Sequence, residues 1–374
     1  MLFSWPLMGA IQEISARIGR VTGQGIAANI RDHYPRPLLR GMVALLLLAN
    51  TINLGADLGA MGDALRLLIG GPRGVYVVGF AIGCASLEIF LQYARYVRLL
   101  KWLTLSLFAY VATVLVIEVP WVEVAYRVLV PTLSFNEDYI VVIVGVLGTT
   151  ISPYLFFWQA SEEAEDERID PNAKPLLETP EAARGEVRRI EVDTYVGIGL
   201  SNLVGLCIII TTAAALNAHG VTDVQTSEEA ARALRPIAGE AAFLIFACGI
   251  IGTGLLAIPV LAGSGAYALA EAVGWTAGLG RQPREAPAFY ATIAIGTLIG
   301  IAINFVDIDP IKALFWSAVI NGVVAVPLMV VMMLMTARQD VMGPFTLPRP
   351  LRMLGWFSTI AMALAVAGMF ATWT

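Results

Sequence analysis

The stretch Gly148-Thr149-Thr150-Ile151-Ser152-Pro153-Tyr154 places three hydroxyls, on Thr149, Thr150 and Ser152, directly before a proline within an apolar run. A proline inside a helix removes one backbone hydrogen bond and crowds the preceding turn. It also pushes the residue before it away from the α region. Gly145 and Gly148 weaken the same turn. A helix broken at membrane depth leaves carbonyl oxygens that can coordinate a cation. An ordinary proline kink, satisfied by a threonine hydroxyl, is the plainer reading for a lone proline. Two glycines and three hydroxyls around Pro153 favour the break.

A second polar set comprises Asn50, Asn53 and Asp57. At helical spacing these fall within an arc of about 60°, one narrow stripe on an apolar helix. Neutral amides often join helices by hydrogen bonds, and for the two asparagines that role and a functional one stand level. Asp57 differs, because a carboxylate in apolar surroundings must protonate or find a cation. Glu88 and Gln92 form a similar pair one turn apart, and Arg95 is the expected ion-pair partner of Glu88. The acidic run Ser161-Glu162-Glu163-Ala164-Glu165-Asp166-Glu167-Arg168 lacks the Asp-x-Asp-x-Asp-Gly spacing of a calcium loop, so 161–193 reads as a solvated cytoplasmic linker.

These residues need long helices to hold them. Of the 374 residues, 57% are hydrophobic and 14% charged, against about 25% charged in soluble domains. Apolar runs recur at roughly 1–17, 41–69, 74–95, 102–119, 139–160, 194–218, 239–273, 287–306, 311–336 and 353–373, ten candidate spanning helices by length. They lack the period-two alternation of a membrane barrel. Arginines and lysines concentrate in the odd-numbered connections, which predicts that those loops are cytoplasmic in a multi-pass cell-membrane protein. The net charge of −5 argues against a nucleic-acid partner. Cys84, Cys207 and Cys248 lie in apolar segments without a CxxC pair. His33 and His219 fall in loops, with no Ser–His or HExxH arrangement, so no enzyme is expected, and no cofactor.

Three further motifs carry a resemblance. Arg20-Val21-Thr22-Gly23-Gln24-Gly25 and Tyr34-Pro35-Arg36-Pro37 resemble the connection between the second and third helices of the Nramp divalent-metal transporters. Ala56-Asp57-Leu58 falls where that family's third helix carries Thr-Asp-Leu. Gly148–Tyr154 resembles its sixth-helix segment, in which Met-Pro-His follows a small residue. The match runs in order along nearly the whole chain. It implies an all-α, leucine-transporter-like fold of two inverted repeats. Residues 1–136 would be the remainder of the first repeat, 139–336 the second, and 353–373 an extra helix.

The resemblance also implies the function, transport of a divalent metal ion across the lipid bilayer. Thr149 and Ser152 would supply the sixth-helix half of the metal site by backbone carbonyl and hydroxyl. Asp57 would be an electrostatic or proton-linked residue, and Asn321, beside Gly322, a further candidate. Ser152 stands where the family uses a methionine thioether, which tilts preference from soft metals toward Mg²⁺ or Mn²⁺. Ala60 replaces the family's second third-helix acid and Tyr154 its histidine, which puts proton coupling in doubt. The family's first helix, with an Asp-Pro-Gly-Asn motif, has no counterpart here. It is expected in frame upstream of Met1, and without it the 374 residues are expected to insert but not to transport. An amino-acid or other organic-solute transporter of the same fold is the alternative, its substrate carboxylate held at a helix N-terminus.

Overall fold

Prolines and glycines punctuate the apolar runs and fix where the helices begin and end. Pro37, Pro153 and Pro287 each sit in the first turn of a helix, where a missing N–H costs nothing. Gly70, at φ 72°, ends the longest helix of the first half, a backbone conformation that glycine adopts freely. The computed structural model describes residues 1–90, 98, 102, 104–130, 134, 136–170, 173–216, 220, 227–306 and 310–372, and these contain helices and no strand.

In chain order the helices are α1 (Ser4–Thr22), α2 (Ile26–His33), α3 (Arg36–Ile69), α4 (Arg73–Phe90), α5 (Phe108–Val116), α6 (Trp121–Leu129) and α7 (Glu137–Thr150). There follow α8 (Pro153–Ile169), α9 (Ala183–Thr211), α10 (Ser227–Val273), α11 (Pro287–Ile303), α12 (Pro310–Thr336), α13 (Gln339–Met342) and α14 (Arg349–Thr372). Among the described residues, seven helical stretches are long and apolar enough to cross a membrane, the α7–α8 pair counting as one. α11 is apolar but has only 17 residues. The segments expected at 1–17 and 102–119 are helical over Ser4–Thr22 and Phe108–Val116 but are not among the seven.

The polar and apolar faces are arranged for a bilayer. Leu45, Leu48, Val196, Leu200, Leu298 and Leu364 are all more than two-fifths exposed, an apolar outer belt suited to lipid. Inside, Ile11, Ile14 and Ile18 of α1 pack with Phe156 and Phe157 of α8 and with Met329 and Met332 of α12. A second cluster joins Leu54 and Leu58 of α3 to Tyr267 of α10 and Phe289 of α11. Helices α7 and α12 cross most closely at Gly148. A methyl group there would lie 2.0 Å from the Ala318 carbonyl oxygen and 2.6 Å from the Gly322 nitrogen. Such small-residue contacts let backbones approach where lipid supplies no hydrophobic drive between helices.

Of the solvated linker expected at 161–193, the acidic start is corrected by the structure, whereas 177–189 is largely exposed. Residues up to Ile169 continue α8, and Glu163, Glu165 and Glu167 are buried. Arg189 of α9 pairs with Glu163 at 2.5 Å, and Arg20 of α1 with Glu167 at 3.4 Å. Glu186 bridges Arg20 at 3.2 Å and Arg189 at 3.0 Å. Burial is tolerated because each charge meets its opposite. Glu271 of α10 accepts from Ser161 Oγ at 2.8 Å and from the Ala28 backbone N–H at 3.3 Å, which ties α8 and α2 together. The sequence signal for linkage was there in Arg20, Glu186 and Arg189, but they are distant in the chain.

Gly148→Ala is expected to destabilise the protein by about 1–3 kcal/mol, the usual cost of overpacking. Gly296→Ala, where an added methyl meets no atom within 4 Å, should be neutral. Thermal unfolding in detergent compares the two, and equal midpoints would contradict the packing described for α7 and α12.

Candidate cation site at the helix break

The break lies where the sequence places it. Helix α7 ends at Thr150, Ile151 and Ser152 leave the helical conformation, and α8 starts at Pro153. Ile151 has φ −111° and ψ 65°, and Ser152 is extended at φ −89° and ψ 132°. In an unbroken helix the Thr149 carbonyl would accept from the nitrogen of residue 153, and proline has no N–H to give. The Ser152 hydroxyl takes over. It donates to the Gly148 carbonyl at 2.6 Å and, more weakly, to the Thr149 carbonyl at 3.1 Å. One proton shared by two acceptors leaves the Thr149 carbonyl under-satisfied. The Tyr154 phenol also lies within hydrogen-bond reach of this hydroxyl.

Ser152 is 1% exposed, whereas the Thr149 side chain is exposed. Thr150 turns back onto its own helix, donating to Val146 O at 2.9 Å and Leu147 O at 3.1 Å. The structure therefore separates the three hydroxyls. Thr150 stitches its own turn, Ser152 bridges the break, and Thr149 faces outward.

Helix α12 brings Asn321 to the same level. Its neighbour Gly322 packs on Val144 and Gly148 of α7. Asn321 itself is 1% exposed, and its Oδ1 has no hydrogen-bond partner. A buried amide oxygen left unpaired costs about 1–3 kcal/mol, so this atom is suited to a ligand. Asp57 of α3 is half-buried and makes no hydrogen bond or ion pair with a described residue. It lies within electrostatic range of the phenols of Tyr154 and Tyr110.

The two asparagines of the α3 stripe join helices. Asn50 Nδ2 donates to Leu261 O and Ser264 Oγ of α10, each at 2.9 Å. Ser317 of α12 donates to Asn53 Oδ1. Ser317 and Ser264 escaped sequence reading. Ser317 lies one helical turn before Asn321, a spacing that marks a shared polar face. For Ser264 no such signal exists. Toward the other end of α3, Arg73 pairs with Asp63 at 2.7 Å and donates to Asn304 Oδ1 at 2.9 Å. The ion pair expected between Glu88 and Arg95 lies outside the described residues. Glu88 is 2% exposed and neither carboxyl oxygen has a hydrogen-bond partner among the described residues; Gln92 is likewise outside them.

Three comparisons with known proteins agree. The family model described as natural resistance-associated macrophage protein-like matches residues 1–372. The divalent metal cation transporter MntH of Klebsiella pneumoniae (strain 342) is 25% identical over 365 residues, covering 96% of this chain and 82% of that protein. MntH of Deinococcus radiodurans is 25% identical over 370 residues, covering 97% and 79%. Among solved structures, the Eremococcus coleocola manganese transporter, in complex with an aromatic bis-isothiourea substituted compound, superposes with a TM-score of 0.74. It is 19% identical and covers 99% of this chain and 79% of that one. The all-α, leucine-transporter-like architecture expected from the sequence holds for this chain.

Ser152→Ala removes the donor that serves Gly148 and Thr149 and should cost about 1–3 kcal/mol of stability. Ser152→Thr keeps the hydroxyl and should cost less. Unfolding curves in detergent distinguish them, and an alanine variant as stable as the parent would contradict the bridging role.

Proposed function

The chain belongs to the natural resistance-associated macrophage protein-like (Nramp) family, and on that premise we propose that it transports divalent metal cations across a membrane, Mg²⁺ or Mn²⁺ in preference to soft metals. The observation that carries this reading is the helix break, where a proline strands the Thr149 carbonyl and one serine hydroxyl is shared between two acceptors. Thr149 binds through its carbonyl and Ser152 through its hydroxyl oxygen. Asn321 adds an amide oxygen, and Asp57 supplies negative charge nearby. All are oxygen donors, the set that hard cations favour.

A thioether would draw soft metals, and none stands at this position. The relatives' names, divalent metal cation transporter and manganese transporter, support the metal reading over an organic solute. The repeat division 1–136 and 139–336 belongs to the same proposal, as does a cytoplasmic position for the basic odd-numbered loops. On this reading α7 and α8 are the broken first helix of the second repeat, and the under-satisfied Thr149 carbonyl faces the substrate path.

Uptake by liposomes tests the assignment, with protein expressed from the gene together with any in-frame sequence before Met1. Ser152→Met should shift the preference toward Cd²⁺ over Mg²⁺ by about tenfold, roughly 1.4 kcal/mol. Asp57→Asn should lower uptake of every divalent ion, because it removes charge without changing shape. An unaltered Cd²⁺ to Mg²⁺ ratio in the methionine variant would remove Ser152 from the site.

A further inference from the structure

A groove of about 470 Å³ runs between the N-terminal half of α3 and the C-terminal end of α10, with three arginines, Arg31, Arg36 and Arg40, at its mouth. Arg36 and Arg40 lie one helical turn apart, on the face of α3 that also carries Val43 and Leu47. Leu39 and Val43 are buried and form one wall, and Leu269 of α10 stands on the other. The groove is therefore cationic at one end and apolar along its length.

Its surroundings place it against lipid. Leu45 and Leu48, on the neighbouring face of α3, are 44% and 54% exposed. Trp275, just beyond the end of α10, is 45% exposed, and indole rings concentrate at the membrane–water interface. The charges are available. Among the described residues, Arg36 and Arg40 make no ion pair or side-chain hydrogen bond. Arg31 is partly engaged, donating to the Glu271 carbonyl at 2.5 Å and to the Asp32 carboxylate at 2.9 Å. The Glu271 carboxylate points the other way, toward Ser161 and Ala28. Among the described residues that line the groove none is acidic, and Asp32 meets Arg31 alone of the three guanidinium groups.

We propose that this groove binds one anionic phospholipid, with its phosphodiester on Arg36, Arg40 and Arg31 and an acyl chain along Leu39, Val43 and Leu269. Guanidinium forks match phosphate oxygens in geometry and charge. The apolar walls gain by covering a hydrocarbon chain. Zwitterionic lipids carry an ammonium that offsets the phosphate charge, so they gain less from the arginines. Basic pockets between transmembrane helices suit anionic headgroups for these reasons. The inference does not rest on metal transport and holds whichever ion is carried.

Native mass spectrometry of the full chain, released from detergent containing phosphatidylglycerol and phosphatidylcholine, reads the site. The parent protein, and an Arg184→Gln/Arg188→Gln control altered at exposed arginines elsewhere, should retain one phosphatidylglycerol. Arg36→Gln/Arg40→Gln should weaken that retention about 25-fold, at roughly fivefold for each arginine, and Arg36→Lys/Arg40→Lys should keep most of it. Leu47→Trp, which fills the groove and spares the arginines, should also expel the lipid. If the glutamine variant does not fold, the tryptophan variant reads the same site. Equal retention by the parent and both groove variants would overturn the proposal. Displacement of the lipid by inorganic phosphate, binding equally to the parent and to Leu47→Trp, would overturn it in favour of a simple anion site. A parent protein that takes up neither lipid would mean that the groove is filled from within the protein, which also overturns it.

Discussion

A backbone carbonyl in a bilayer has no water to turn to, so every one must find a donor within the protein. Pro153 withholds the donor that the Thr149 carbonyl would have used, and much of the architecture around the break answers that single loss. Ile151 and Ser152 leave the helix, Ser152 Oγ reaches back to Gly148 and Thr149, and α8 restarts with the proline in its first turn. The repair is incomplete because one hydroxyl proton serves two oxygens. On the proposed reading that shortfall is the physical basis of the site, since a cation satisfies carbonyls as well as a donor does.

The neighbouring helices hold this broken point in place. Gly148 allows α12 to come close enough to touch, which brings Asn321 and its unpaired oxygen to the level of the break. Asn50 and Asn53 fasten α3 to α10 and to α12, leaving Asp57 as the member of the stripe without a described partner. The far end of α8 is anchored by Glu163 and Glu167 to arginines of α9 and α1. A broken helix has lost the continuity that would position its second half, and these ion pairs supply it from outside.

What was legible in the sequence follows from whether the signal was local. The break could be read because proline, glycines and hydroxyls act within one turn. The stripe Asn50, Asn53 and Asp57 could be read because helical spacing fixes a common face. Partners across the fold could not. Ser264 is one serine among apolar neighbours, and nothing local ties it to Asn50. Glu163 and Glu167 looked solvated because acidic runs usually are, and their arginines, Arg189 and Arg20, are distant in sequence. Glu88 was assigned Arg95 by proximity along the chain, and Arg95 lies outside the described residues. The role of Ser152 was half legible. Its place beside Pro153 marked the break, but the turn that spends its proton on its own backbone has no signature in the sequence.

The most direct measurement is Mn²⁺ binding by calorimetry to a Pro153→Ala variant, set beside its thermal stability. Alanine restores the N–H, so the Thr149 carbonyl regains a helical partner and the break can heal. The account predicts that saturable Mn²⁺ binding is lost while stability is kept or rises. Unchanged Mn²⁺ affinity in a folded Pro153→Ala protein would contradict it, because the ion would then be held by groups that do not depend on the break.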